Sequence, residues 1–288
     1  MTAPATRPAD PLAKLLAQLD LERVGEDRFD ARPGGGMRRL FGGLIAAQAA
    51  VAAARTVSGA RLHSLHGYFL RPGRPGVPIR FEVARLRDGR SFATRRALAR
   101  QHEDAIFELA ASFTATEDGV AHAFEPPPGA AAEPDALPDW ETLRPLETGE
   151  GSRPPDAIEV RVCQPADDRP GAQPPPHRMV WMRPRGEPPE DPCVHAALLV
   201  YASDRTLLRT AARLHGGLRD RLPASLDHAV WLHRVPRFDD WILYATESPI
   251  ASGGRAWVVG RMLSRTGERI ATVVQEGLLR RPRPPREG

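Results

Sequence analysis

Apolar positions in this chain follow two periods, and the change from one to the other happens twice. Residues 41 to 57, "FGGLIAAQAAVAAARTV", are apolar on nearly every side at helical spacing, which predicts one long helix buried all round rather than an amphipathic surface helix. Alternating runs follow, "RLHSLHGYFLRP", "VPIRFEVARLRDG", "SFATRRALARQ" and "AIFELAASFTAT", separated by Pro-Gly, Asp-Gly and charged turns; these predict strands. After a stretch rich in Pro, Ala, Gly and acids, the order returns. The strand-like "IEVRV" and "HRMVWMRP" lead to a helix over 193 to 214, followed by "SLDHAVWLHR", "DWILYATESP", "RAWVVGRMLSR" and "RIATVVQEGLLRR".

The second half therefore repeats the first: "SLHGYFLRPG" and "SLDHAVWLHRVP" are each the first strand after a helix. Helices do not alternate with single strands, so a parallel βαβ sheet is disfavoured and a duplicated α+β unit is expected. A helix apolar nearly all round, followed by four or more strands, suggests by packing logic and analogy a sheet curled around it. That is a tandem (double) hotdog, two antiparallel sheets each wrapped around a long central helix. The expected boundaries are an N-terminal hotdog over 1–120, a Pro/Ala-rich linker over 121–157 and a C-terminal hotdog over 158–288.

Composition narrows the partners more than the fold. The 288 residues, 41% of them hydrophobic, can fill a substantial core. No run approaches the length of a membrane helix, and the opening "MTAPATRPADPLAKLL" lacks a signal-peptide pattern, so a cytoplasmic location without membrane association is expected. Cys163 and Cys193 have no metal-ligand spacing and are too few for a disulfide framework; free thiols and no metal are expected. The +4 charge invites a nucleic-acid partner, but 40 basic residues are dispersed among 36 acids, and the one basic tract is "RRPRPPR" near the C-terminus. None is expected. "GGGMRR" lacks the lysine and register of a phosphate loop. Exposed edges of such a sheet favour a homo-oligomer, a dimer or tetramer.

Two polar residues break the apolar pattern. In "HAALLVYASDRTLL", Asp204 shares a helical stripe with Ala197, Tyr201, Leu208 and Ala211, where an unpartnered carboxylate would cost several kcal/mol. It either belongs to a site, or "YASDRT" is a helix break at which Ser203 or Asp204 caps a second helix. Gln275 lies on a strand face with Ala271, Val273 and Gly277. The amides of Gly42 and Gly43, opening the first helix, could polarise a carbonyl oxygen; equally, the two glycines could serve only close packing. His63, His66, His228 and His233 are spread along strands and read as structural or substrate-lining, with His66 the strongest candidate for lining a substrate.

Four segments taken together, "LFGGLIAAQA", "HSLHGYFLRPG", "LLVYASD" with "DHAVWLHR", and "TVVQEGLLR", resemble the acyl-CoA thioesterase II family, the bacterial TesB type. The resemblance runs in order through nearly the whole chain except the linker. It implies a double-hotdog enzyme that hydrolyses acyl-CoA to a free fatty acid and CoA through a water positioned by Asp, Thr and Gln, without a cofactor. Carried over, the Asp is Asp204 and the Gln is Gln275, while Ser225 stands where the family usually has Thr. Serine keeps the hydroxyl and loses a methyl. The absence of a G-x-S-x-G elbow agrees with a mechanism that forms no covalent intermediate. Alternatives are a hotdog enoyl-CoA hydratase, whose Asp/His loop is not found, and a non-catalytic acyl-CoA-binding protein. Where the second helix has Asp204, the first offers Gln48 among alanines, so one working site and one degenerate one are expected.

Overall fold

The structure is a computed structural model that describes residues 10–32, 40–124, 132–148, 155–164, 174–217 and 222–280. The "GGGMRR" run, and all but the first residue of the C-terminal arginine tract, lie outside the described residues.

The first repeat begins with α1 (Pro11–Leu19), whose N-cap Asp10 accepts from the Leu12 amide with Pro11 at the first helical position. A hairpin of β1 (Glu22–Gly25) and β2 (Arg28–Ala31) leads to α2 (Gly42–Ala54). Four strands follow: β3 (Arg61–Phe69), β4 (Ile79–Asp88), β5 (Phe92–Gln101) and β6 (Asp104–Thr114). Between the repeats stand a 3₁₀ turn (Pro134–Ala136) and α3 (Trp140–Thr148). The second repeat runs β7 (Ile158–Val162), β8 (His177–Pro184), α4 (Pro192–Ser203), α5 (Leu207–Arg213), β9 (Leu222–Ser225), β10 (Asp227–Leu232), β11 (Ile242–Ser252), β12 (Arg255–Ser264) and β13 (Arg269–Arg280).

The strand order is β1-β2-β4-β5-β6-β3-β10-β13-β12-β11-β8-β7, with β9 paired to β13. Read inward from either end, the repeats give the same arrangement, and the two first strands meet at the centre. There β3 and β10 pair antiparallel, His66 opposite Ala229 and Leu65 opposite Val230. The two expected sheets are thus joined edge to edge into one continuous sheet. Each half would otherwise leave a long central edge with unpaired amides and carbonyls, and pairing the two edges satisfies both.

Helix α2 lies on β2 to β6 of its own repeat and against α4; α5 covers β11 to β13. Six alanines of α2, residues 46, 47, 49, 50, 52 and 53, are almost fully buried, so the helix is thin enough for α4 to approach its backbone. One apolar core runs through both repeats, from Phe29, Phe81, Phe107 and Phe113 across the helices to Val160, Met182, Val258 and Val273. The second expected helix is broken: α4 stops at Ser203, and α5 starts after Thr206. The Pro/Ala-rich stretch, read as lacking apolar periodicity, nonetheless packs in part. Trp140 and Leu137 are buried against the second repeat, worth about 2 kcal/mol each by area removed from water. No helix among the described residues is long and apolar enough to cross a membrane.

Candidate active site

The break between α4 and α5 places Asp204 at the C-terminal end of α4, in a backbone conformation still helical. Its side chain caps neither helix. The N-cap position of α5 is Thr206, and the Asp204 carboxylate turns instead toward the first repeat. There the N-terminus of α2 meets it: the Gly43 amide donates to Asp204 Oδ2 at 2.7 Å. The other oxygen, Oδ1, faces the second repeat's sheet and accepts from Gln275 Nε2 at 3.1 Å and from Ser225 Oγ at 3.5 Å, the last at the outer limit of a hydrogen bond. Asp204, Ser225 and Gln275 are therefore brought together, from the end of α4, the end of β9 and the middle of β13.

Glycine is required at the mouth of α2. A Cβ on Gly42 would stand 3.0 Å from Asp204 Oδ2 and 2.9 Å from the Phe69 ring. One on Gly43 would stand 2.7 Å from the Tyr201 carbonyl oxygen. Both the close packing of α2 on α4 and the access of an amide to the carboxylate thus depend on missing side chains. The Gly43 donor is taken up by Asp204, which corrects the expectation that both glycines serve an oxyanion; the helix end first attracts the anion already beside it.

Burial pushes the Asp204 carboxyl up to about 6, against the hydrogen bonds from Gln275, Gly43 and Ser225, which pull it down. The residue keeps part of its surface open although its carboxylate is surrounded by protein. A carboxylate of this kind is mostly ionised at neutral pH and basic enough to accept a proton from water. The corner that carries it is anchored from outside. Tyr201 Oη donates to Asp156 at 2.9 Å, and Arg205 pairs with Asp156 and, at 3.2 Å, with Glu141 of α3.

His66 is not part of this group. Alternation along β3 turns Leu65 and Gly67 inward and His66 outward, where its exposed ring meets Trp231 edge-on at 4.8 Å. The structure therefore does not bring His66, expected to line the substrate, to the Asp204 group; Phe69, at the end of the same strand, reaches Gly42 instead. His63 and His233 each bond a hydroxyl on a neighbouring strand, Ser112 and Thr272. Of these four histidines it is His228 that lies inside, fully buried and 2.7 Å from Ser203 Oγ. A readable signal existed: His228 alternates in step with Val230 and Leu232, both core residues. In the first repeat, α2 ends in Arg55, paired with Asp20 at 2.7 Å, where α4 ends in Asp204. Gln48 lies mid-helix and donates to the Gln18 carbonyl, so it is not the counterpart of Asp204. Among the described residues no group of three or more His, Cys, Asp or Glu could hold a metal, and Cys163 and Cys193 are unpaired.

A sheet of this topology, packed on buried helices that bring one carboxylate to an amide, a carboxamide and a hydroxyl, marks a protein of the hotdog class. Sequence comparison makes the class definite. Residues 31–115 match the model of the acyl-CoA thioesterase N-terminal domain, and residues 155–278 that of acyl-CoA thioesterase. The chain is 38% identical to acyl-coenzyme A thioesterase 8 of Mus musculus, over 91% of this chain and 87% of that protein. It is 34% identical to acyl-CoA thioesterase 2 of Haemophilus influenzae, over 94% and 99%. The solved structure of an acyl-CoA thioesterase II from Mycobacterium marinum superimposes with a TM-score of 0.79 at 41% identity, covering 93% of this chain and 98% of that one. The chain belongs to the acyl-CoA thioesterase family.

Proposed function

We propose that this protein hydrolyses acyl-CoA thioesters to free fatty acid and CoA, with Asp204 as general base and Ser225 and Gln275 fixing the attacking water. In this reading a water beside Oδ1 gives its proton to Asp204 as its oxygen bonds to the thioester carbon. The tetrahedral intermediate collapses with loss of the carbon–sulfur bond, and the proton passes from Asp204 to the departing CoA sulfur. The carbonyl oxygen sits at the mouth of α2, where the Gly42 amide and the positive end of the helix stabilise the developing charge. No covalent acyl-enzyme is needed.

The observation that supports this best is the convergence of Gly43, Ser225 and Gln275 on one carboxylate from both repeats. The test is thiol release from a panel of acyl-CoA chain lengths by Asp204→Asn. Loss of the base lowers kcat by roughly 10²- to 10⁴-fold. An unchanged rate in folded protein removes Asp204 from the mechanism.

The same reading carries a double hotdog with units over 1–120 and 158–288, a linker over 121–157, and a cytoplasmic homo-oligomer, dimer or tetramer. Exposed Tyr68, Ile250 and Trp257 on the strands favour assembly.

A further inference from the structure

Behind Gln275 lies a second buried polar residue that the reaction as described does not use. The register of β10 on β13 runs Val230 opposite Val273 and Ala229 opposite Val274, so the next step sets His228 opposite Gln275. Both side chains are fully buried. Nε2 of His228 is 2.7 Å from Ser203 Oγ, the residue just before Asp204, and Ser203 Oγ is also 2.9 Å from the Val200 carbonyl. Two buried atoms are left over, His228 Nδ1 and Gln275 Oε1; neither has a hydrogen-bond partner of good geometry. Leaving both unpaired would cost the full desolvation of each, whereas a proton on Nδ1 lets one satisfy the other.

We propose that His228 is a positioning residue: protonated on Nδ1 and neutral, it holds the Gln275 carbonyl and so turns the Nε2 amide toward Asp204. A carboxamide has two faces of nearly equal shape. Reversed, Gln275 would present its oxygen to the Asp204 carboxylate, two acceptors in contact. His228 prevents that reversal; the tautomer requires the single Ser203 hydroxyl proton to go to Nε2, its contact at 2.7 Å, and not to the Val200 carbonyl at 2.9 Å.

The first repeat supplies an internal control. Aligning "YFLR" (68–71) with "WLHR" (231–234) and following the strand pairing puts Leu65 and Ala111 where the second repeat has His228 and Gln275. The helix end there carries Arg55 in place of Asp204. Where the acid is absent, both the amide and the imidazole behind it are absent too. A histidine needed only to fill the core would have no reason to follow the acid.

This proposal rests on the reading of Asp204 as the base, and one set of variants separates the two. His228→Asn places an amide N–H near the position of Nδ1 and keeps the Gln275 contact; His228→Gln reaches the position of Nε2 and keeps only the Ser203 contact; His228→Leu copies the first repeat. The expected order of kcat is wild type, then Asn, then Gln and Leu, the last two reduced roughly 100-fold as for other small misplacements at a reacting centre, with KM little changed. The acid limb of the pH–rate profile moves to higher pH in Gln and Leu, because Asp204 loses a donor that lowers its pKa. Equal rates in the Asn and Gln variants, or a limb that stays in place while kcat falls, overturn the proposal. If Asp204→Asn is inactive while His228→Leu matches wild type, only the role of His228 fails; an active Asp204→Asn sinks the reading beneath it. Nitrogen NMR of histidine-labelled wild type gives a check independent of any variant: His228 protonated on Nε2 at neutral pH refutes the relay.

Discussion

Replacing Asp204 by Asn removes a charge that the fold holds at a cost, so the variant that loses activity gains stability, and only above a certain pH. Burial raises the Asp204 pKa from 3.8 to about 6. In the unfolded chain the group ionises near 3.8. Below that pH the acid is protonated in both states and favours neither. As the pH rises from about 3.8 to about 6, the unfolded chain gives up this proton while the folded protein keeps it, so the fold loses stability relative to the variant, and above about 6 the loss is complete. A shift of about two units corresponds to roughly 3 kcal/mol at 1.36 kcal/mol per unit; because the residue is partly open to solvent, on the order of 2 kcal/mol is expected. At 2–4 °C per kcal/mol this is about 5 °C in Tm. The assay is thermal unfolding of both proteins at about pH 4 and pH 8, since the difference between the two differences cancels every other titrating group. Asp204→Asn should gain about 5 °C over wild type on going from pH 4 to pH 8. The wild-type kcat/KM should rise with pH through a limb near 6 as the same group ionises. Parallel Tm profiles, or a limb near 4, would mean that the carboxylate is solvated and the argument from burial is wrong.

Gly42→Ala forces a methyl against Asp204 and Phe69 and should cost about 1–3 kcal/mol by denaturant titration, with kcat lowered as well. Ser225→Ala, removing a donor at 3.5 Å, should lower kcat less than Gln275→Ala, whose donor stands at 3.1 Å; the reverse order in steady-state kinetics would reassign the water's main anchor. Burial pushes both cysteine thiols up to about 11, so at pH 8 fewer than about one in a hundred is thiolate. Disulfide-exchange reagents should therefore label the folded protein slowly and the denatured protein fully, as absorbance of the released reagent will show.

Much of this molecule can be read from its residue pattern. The doubled order of helix and strands is plain, because each repeat has to bury a helix that is apolar all round. Asp204 and Gln275 stand out because a buried polar group must have a partner. The partner of Asp204 is harder to see. Gly43 lies 161 positions away in the chain and donates through its backbone, which is common to every residue type except proline. The helix break at Asp204 is legible only as an alternative in "YASDRT", since apolar spacing continues through Leu208 and Ala211 as if one helix did. His66 and His228 show how far alternation can be trusted. Both sit in similar strands after similar helices, yet one faces out and the other in, and only the phase relative to core neighbours such as Val230 tells them apart.

Because the acid belongs to one repeat and the helix end that grips it belongs to the other, half a chain holds half a centre. On separate polypeptides such halves would have to find each other, and their output would collapse at low concentration. A shared backbone replaces that encounter with a permanent neighbour, at an effective concentration in the millimolar range or above. Activity per chain should accordingly not fall on dilution, and the first repeat closes its helix with Arg55 in place of an acid.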